Sequence, residues 1–156
     1  GIALNYYESR DYIHGHSNSV PLGVDAGVFG SISFGRLSAK LKLRQDISNN
    51  HNGRLFSGRL GYRVPWSKKL RVNLNVNATY ADDEYMETYF VSVQDGGGVK
   101  DMGGGAIFMY LLDKDWTFIT ITNYTRLLNN AANSPLVEYA GLKNQFLLGL
   151  GFAYRF

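Results

Sequence analysis

Leu70-Arg71-Val72-Asn73-Leu74-Asn75-Val76-Asn77-Ala78-Thr79-Tyr80 sets an apolar side chain at every even position against Arg, Asn or Thr at every odd one. Successive side chains of a strand point to opposite faces, so this unbroken period of two predicts a β-strand with one greasy and one polar face. Residues 36 to 46 repeat the pattern, with Leu37, Ala39, Leu41 and Leu43 opposite Arg36, Ser38, Lys40, Lys42 and Arg44. The C-terminus does so again: Phe146, Leu148, Leu150, Phe152, Tyr154 and Phe156 share a face, opposite Gln145, Gly149, Gly151, Ala153 and Arg155.

Weaker alternation marks residues 22 to 34, through Val24, Ala26, Val28, Ile32 and Phe34, and residues 54 to 64, through Phe56, Leu60, Tyr62 and Val64. Segments 1 to 8, 102 to 112 and 115 to 127 bring the count to about eight strands. In the last two, apolar residues fall on both faces, as in Ile107-Phe108 and Phe118-Ile119, so alternation does not fix which way they face. The composition agrees with an all-β chain, with 18 Gly, 11 Tyr and 9 Phe but only 3 Pro among 156 residues, enough for one domain spanning the whole chain.

The connections alternate in length. Short turns fall at Phe34-Gly35-Arg36, at Pro65 to Lys69 and at Leu112 to Asp115, and longer polar stretches at 9 to 21, 47 to 53, 82 to 101 and 128 to 144. This is the rhythm of an up-and-down outer-membrane barrel, with short periplasmic turns and long external loops, and it places the C-terminus in the periplasm. The apolar runs at Ala106 to Leu112 and Phe146 to Tyr154 are far shorter than the roughly 18 residues a transmembrane helix needs, whereas strands of about ten residues suffice to cross a bilayer when tilted.

A lipocalin-like barrel or a β-sandwich would show the same periodicity. Their water-facing sides would carry many acids, however, and here the polar faces are Gly, Ser, Asn and Arg, with aromatics at the apolar strand ends as at a lipid interface. The expectation is therefore a transmembrane antiparallel β-barrel in the outer membrane of a Gram-negative bacterium, with membrane lipid as its surroundings. The aromatic closing strand, Phe146 to Phe156, is expected to engage the barrel-assembly machinery. A net charge of +3 spread along strands argues against nucleic acid, and the absence of cysteine excludes disulfides and thiol chemistry. Gly1 opens directly on a strand-like segment, as expected of a mature chain whose leader has been removed.

Several blocks together resemble the C-terminal part of the MipA/OmpV family, named for a protein that interacts with a murein-degrading lytic transglycosylase. They are Gly35-Arg36-Leu37-Ser38-Ala39 with Leu43-Arg44-Gln45-Asp46, and Ala78-Thr79-Tyr80-Ala81-Asp82-Asp83-Glu84-Tyr85-Met86 with Tyr89-Phe90. They continue through Gly97-Gly98-Val99-Lys100-Asp101, Tyr124-Thr125-Arg126-Leu127-Leu128 with Ser134-Pro135, and Tyr154-Arg155-Phe156. The resemblance implies an outer-membrane scaffold that brings a lytic transglycosylase together with a murein synthase, or an adhesin, without catalytic residues or cofactors. Family members carry further N-terminal hairpins and a longer loop after Tyr89-Phe90, so the complete barrel is expected to hold ten or more strands if this chain is a portion of it.

Two constellations could carry chemistry. Arg36, Lys40, Lys42 and Arg44, joined by Arg59, Arg63, Arg71 and Arg155, form an inward basic row that would draw anions into a pore or, in a narrow barrel, pair with Asp25, Asp46 or Asp101. Asp82, Asp83 and Glu84 with His14, His16 and His51 are the residue types found at the rim of an outer-membrane hydrolase. Nothing in the sequence brings them together, and solvated loop residues are the plainer expectation. His14-Gly15-His16 is likewise expected to hold no metal, and Asn123-Tyr124-Thr125, a glycosylation pattern, lies inside a strand. The glycine runs at 96 to 98 and 103 to 105 lack the helix and Lys-Ser/Thr of a phosphate loop and read as loop and close strand packing.

Overall fold

The computed structural model describes residues 1–7, 23–49, 52–90, 96–135, 137 and 143–156. Eight strands form one antiparallel sheet in chain order: β1 (Ile2–Tyr7), β2 (Gly23–Phe34), β3 (Leu37–Asp46), β4 (Arg54–Val64), β5 (Leu70–Ala81), β6 (Gly98–Leu111), β7 (Trp116–Leu127) and β8 (Asn144–Tyr154). Among the described residues each strand pairs only with its sequence neighbours, the up-and-down order expected, and β1 and β8 are the two edges. Helix α1 (Asp83–Phe90) lies in the β5–β6 connection and the single turn α2 (Asn129–Ala132) in the β7–β8 connection. No helix among the described residues is long and apolar enough to cross a membrane.

Register follows from the alternation. Val76 lies opposite Leu60 and Asn77 opposite Arg59, so the apolar and polar stripes of β4 and β5 coincide across the pair. The same parity runs through β2 to β8. One face carries Val28, Ile32, Leu41, Leu60, Val76, Leu148 and Leu150 and is widely exposed, Val76 at 58% and Leu150 at 67%. A sheet whose greasy side is its uncovered side is arranged for lipid, not for water. On that face Trp116 pairs with Tyr154 and Phe118 with Phe152, with ring centroids 5.0 and 5.1 Å apart. Trp116 and Tyr124 bracket β7, and eight residues at about 3.3 Å each, shortened by tilt, span roughly 20–26 Å, the height of an apolar band between two aromatic girdles.

The short turns are built by local side chains. Asp113 Oδ1 accepts the N–H groups of Asp115 and Trp116 at 2.8 and 2.9 Å, and Ser67 Oγ accepts that of Leu70 at 2.9 Å. Gly35 supplies the positive φ of +59° that the two-residue β2–β3 turn requires.

Two expectations need correcting. The polar stretch 82 to 101 is not a plain loop: it contains α1, and β6 begins at Gly98 instead of 102. An irregularity opposite Thr79/Tyr80 skips Lys100, which lets Val99 and Gly98 go on pairing with Tyr80 and Ala81. The register also settles the facing of β6 and β7, since Asn73 opposite Ile107 and Ile107 opposite Ile121 put both isoleucines on the inner, polar face.

Candidate functional site

Strand parity places the whole basic row on the inner face, but as three groups instead of one file. Lys40, Lys42, Arg44 and Arg59 surround a cavity of about 330 Å³ together with Ser57, Asn77 and Thr79. Lys40 sits 4.3 Å from the ring centre of Phe29, a cation–π contact that holds it against β2. Arg36, Arg59 and Arg63 line a second cavity of about 340 Å³ nearer the short turns, where the Arg63 N–H donates to the Arg36 carbonyl at 2.8 Å. Arg71 and Arg155 belong to a third basin, of about 410 Å³, among the short turns themselves.

That third basin contains cations that sequence reasoning missed, Lys68, Lys69 and Lys114, with Asp115 as the one acid among its described lining residues. Lysines in turns read as solvated charges. What brings them together is hairpin adjacency, visible in the Leu111 N–H donating to the Lys69 carbonyl at 2.8 Å and the Arg155 N–H donating to that of Asp115 at 2.9 Å.

The acids gather at the opposite end. Asp25, Asp46 and Asp101 are buried on the inner face at the long-loop end, Asp25 completely. Of the basic row, Arg44 reaches this group, 3.9 Å from Asp25. Asp101 makes its ion pair with neighbouring Lys100, and Asp46 accepts hydrogen bonds from Ser48 and from the Asn52 N–H.

Above the aspartates the inner positions turn apolar. Leu55, Ala81 and Leu127 form a buried cluster with Tyr85, Met86, Tyr89 and Phe90 of α1 and with Ala131 and Val137 of the β7–β8 connection. Tyr85, Met86, Tyr89 and Phe90 repeat at helical spacing, so one stripe of α1 faces down onto the sheet. The helix starts where it does because Asp82 caps it: Oδ1 accepts the Tyr85 N–H at 3.1 Å while Oδ2 accepts the Arg54 N–H of β4 at 2.7 Å. Asp83 Oδ1 accepts the Gly97 N–H, closing the loop from its far side. A Cβ at Gly97 would lie 2.7 Å from the Ala81 carbonyl oxygen and 2.9 Å from Asp82 Cα, so only glycine fits there.

The rim acids thus have structural work. Asp82 and Asp83 hold the lid, Glu84 is exposed on the first turn of α1, and His14, His16 and His51 lie outside the described residues. No group of metal-ligating side chains occurs among the described residues. Tyr85 feels both sides of the wall. Burial, and next Tyr89, push its phenol above the ordinary tyrosine range, with Arg44 opposing and Asp25 and Asp101 adding to the shift.

A family model described as MltA-interacting protein MipA matches residues 1–156, the length of the chain. No curated protein matches it.

Proposed function

Because the chain belongs to the MipA family, an outer-membrane β-barrel family of the cell envelope, we propose that it is a non-enzymatic scaffold that binds a lytic transglycosylase of the MltA kind and presents it to a murein synthase. On this reading the short turns and the C-terminus face the periplasm and the lid faces outward. The observation that carries it is the lid: α1, with Ala131 and Val137 of the β7–β8 connection, packs on Leu55, Ala81 and Leu127 at the long-loop end of the inner wall, where the aspartates are buried, an arrangement suited to a capped barrel that works through its surfaces. The test is capture of purified MltA by the full-length protein in lipid nanodiscs, combined with planar-bilayer recording. Saturable binding with silent bilayers supports the scaffold. Absence of binding, or steady conductance, refutes it.

One observation favours a second reading, an anion-leaning channel: Lys40, Lys42, Arg44 and Arg59 line one inner cavity, and no acid is among its described lining residues. It predicts anion currents that weaken when Lys40 and Lys42 are neutralised and that appear only when the lid is displaced. An adhesin role would reside in the long connections instead and would survive loss of MltA binding.

A further inference from the structure

The inner face ends, at the short turns, in a basin that neither the scaffold nor the channel reading uses. Lys68 and Lys69 come from the β4–β5 turn, Arg71 from the start of β5, Lys114 from the β6–β7 turn and Arg155 from the end of β8. Among the described residues, five cations against Asp115 of the lining and Asp113 of the same turn leave an excess of three positive charges around about 410 Å³. Among the described residues none of the five makes an ion pair. The other acid of these turns, Asp113, has its Oδ1 engaged by two backbone N–H groups of its own turn.

The basin is also held in shape. The backbone bonds from Leu111 to Lys69 and from Arg155 to Asp115 tie three separate segments together, and the Ser67 bond to Leu70 fixes the turn that carries the two lysines. The five cationic residues are exposed around this backbone frame, and an anion that spans them relieves their mutual repulsion without any rearrangement of the backbone. Arg71 and Arg155 each offer a planar fork suited to a phosphate or carboxylate, and the lysines offer point charges around them. Met109 and Leu111 give the basin an apolar side, so the carbon skeleton of an organic anion has somewhere to lie.

We propose that this basin is a binding site for a compact polyanion carrying at least two phosphate or carboxylate groups, entering from the short-turn mouth. A soluble anion and the headgroup phosphate of an anionic lipid present the same chemistry. The inference rests on the chain being a barrel wall and not on any partner, so it is tested with the purified protein alone.

Full-length protein in zwitterionic nanodiscs is titrated calorimetrically with pyrophosphate and with citrate at about 0.05 M and 0.15 M salt, where screening separates weak from close contacts. Expected is saturable one-site binding of at least one of the two, weakened about tenfold or more by the double change Lys69→Gln, Lys114→Gln, since each close charge-assisted contact is worth several-fold. A second pair, Lys40→Gln and Lys42→Gln, lies in another cavity and leaves the affinity unchanged. Heat-modifiable gel mobility shows that each variant is folded. Repeating the titration in nanodiscs with anionic lipid identifies the source: suppressed binding marks the headgroup, unchanged binding a soluble anion. Absence of binding for both probes overturns the proposal. So does equal loss in the two double variants, which would reduce the site to the general field of a basic wall.

Discussion

Replacing Asp82 by Ala removes both acceptors that join α1 to the sheet, the cap on the Tyr85 N–H and the bond from the Arg54 N–H. A lost N-cap costs about 1 kcal/mol. A lost charge-assisted bond adds about 1–1.5 kcal/mol at a site where water partly replaces it. The lid is then weakened by about 2 kcal/mol, which raises the population of its open form roughly thirtyfold at 1.4 kcal/mol per decade. Hydrogen exchange of the nanodisc-bound protein reads this directly. Protection of the amides in α1 should fall by that factor while Val72 to Val76 of β5 keep theirs, because the strand ladder does not pass through Asp82. Asp82→Asn retains one acceptor oxygen and should give an intermediate loss. Unchanged protection in α1 would refute the capping argument, and an equal loss in β5 would show that the lid and the sheet open as one unit.

Val76→Lys, on the exposed apolar face, should destabilise the membrane-embedded protein by about 2–4 kcal/mol, while Asn77→Lys one residue on should cost far less; equal effects in urea unfolding from lipid would refute the inside-outside assignment. Met86→Ala empties a site only 1% exposed and should loosen the lid by about 2–5 kcal/mol, seen as faster proteolysis within α1 without a change in strand content. Because the Tyr85 phenol titrates higher in the folded lid than in the unfolded chain, its contribution is full below about pH 10 and is lost as pH rises beyond that value. The α1 protection should therefore fall above about pH 10 in the wild type, with the drop blunted in Tyr85→Phe; an identical profile in both would refute it.

The strands were readable wherever one face was to meet lipid and the other was not, as in Leu70 to Tyr80, because that contrast is written at every second residue. It fails at Ile107, Met109, Ile119 and Ile121, where inner residues are as apolar as outer ones and only pairing decides the facing. Helix α1 is hidden in the sequence because the acids Asp83, Glu84 and Glu87 follow Asp82 directly and give the stretch a loop-like composition; its signal is Tyr85, Met86, Tyr89 and Phe90 at helical spacing behind a capping aspartate. Of the candidate site, the basic row was legible as a face. Its division into three cavities was not, nor was the recruitment of Lys68, Lys69 and Lys114, since these depend on which turns end side by side.

The inner wall has a polarity of its own. Acids and a hydrophobic lid occupy the long-loop end, and cations accumulate toward the short turns, where the basin holds five. In an open pore a basic lining would select anions in transit. With the long-loop end covered, the cations are most numerous at the short-turn mouth and draw anions to that end first. On the channel reading conduction requires the lid to move, whereas anion capture at the mouth does not. The conductance of Asp82→Ala set against its anion affinity separates the two: currents gained with affinity unchanged would mean that lid and basin act independently along one wall.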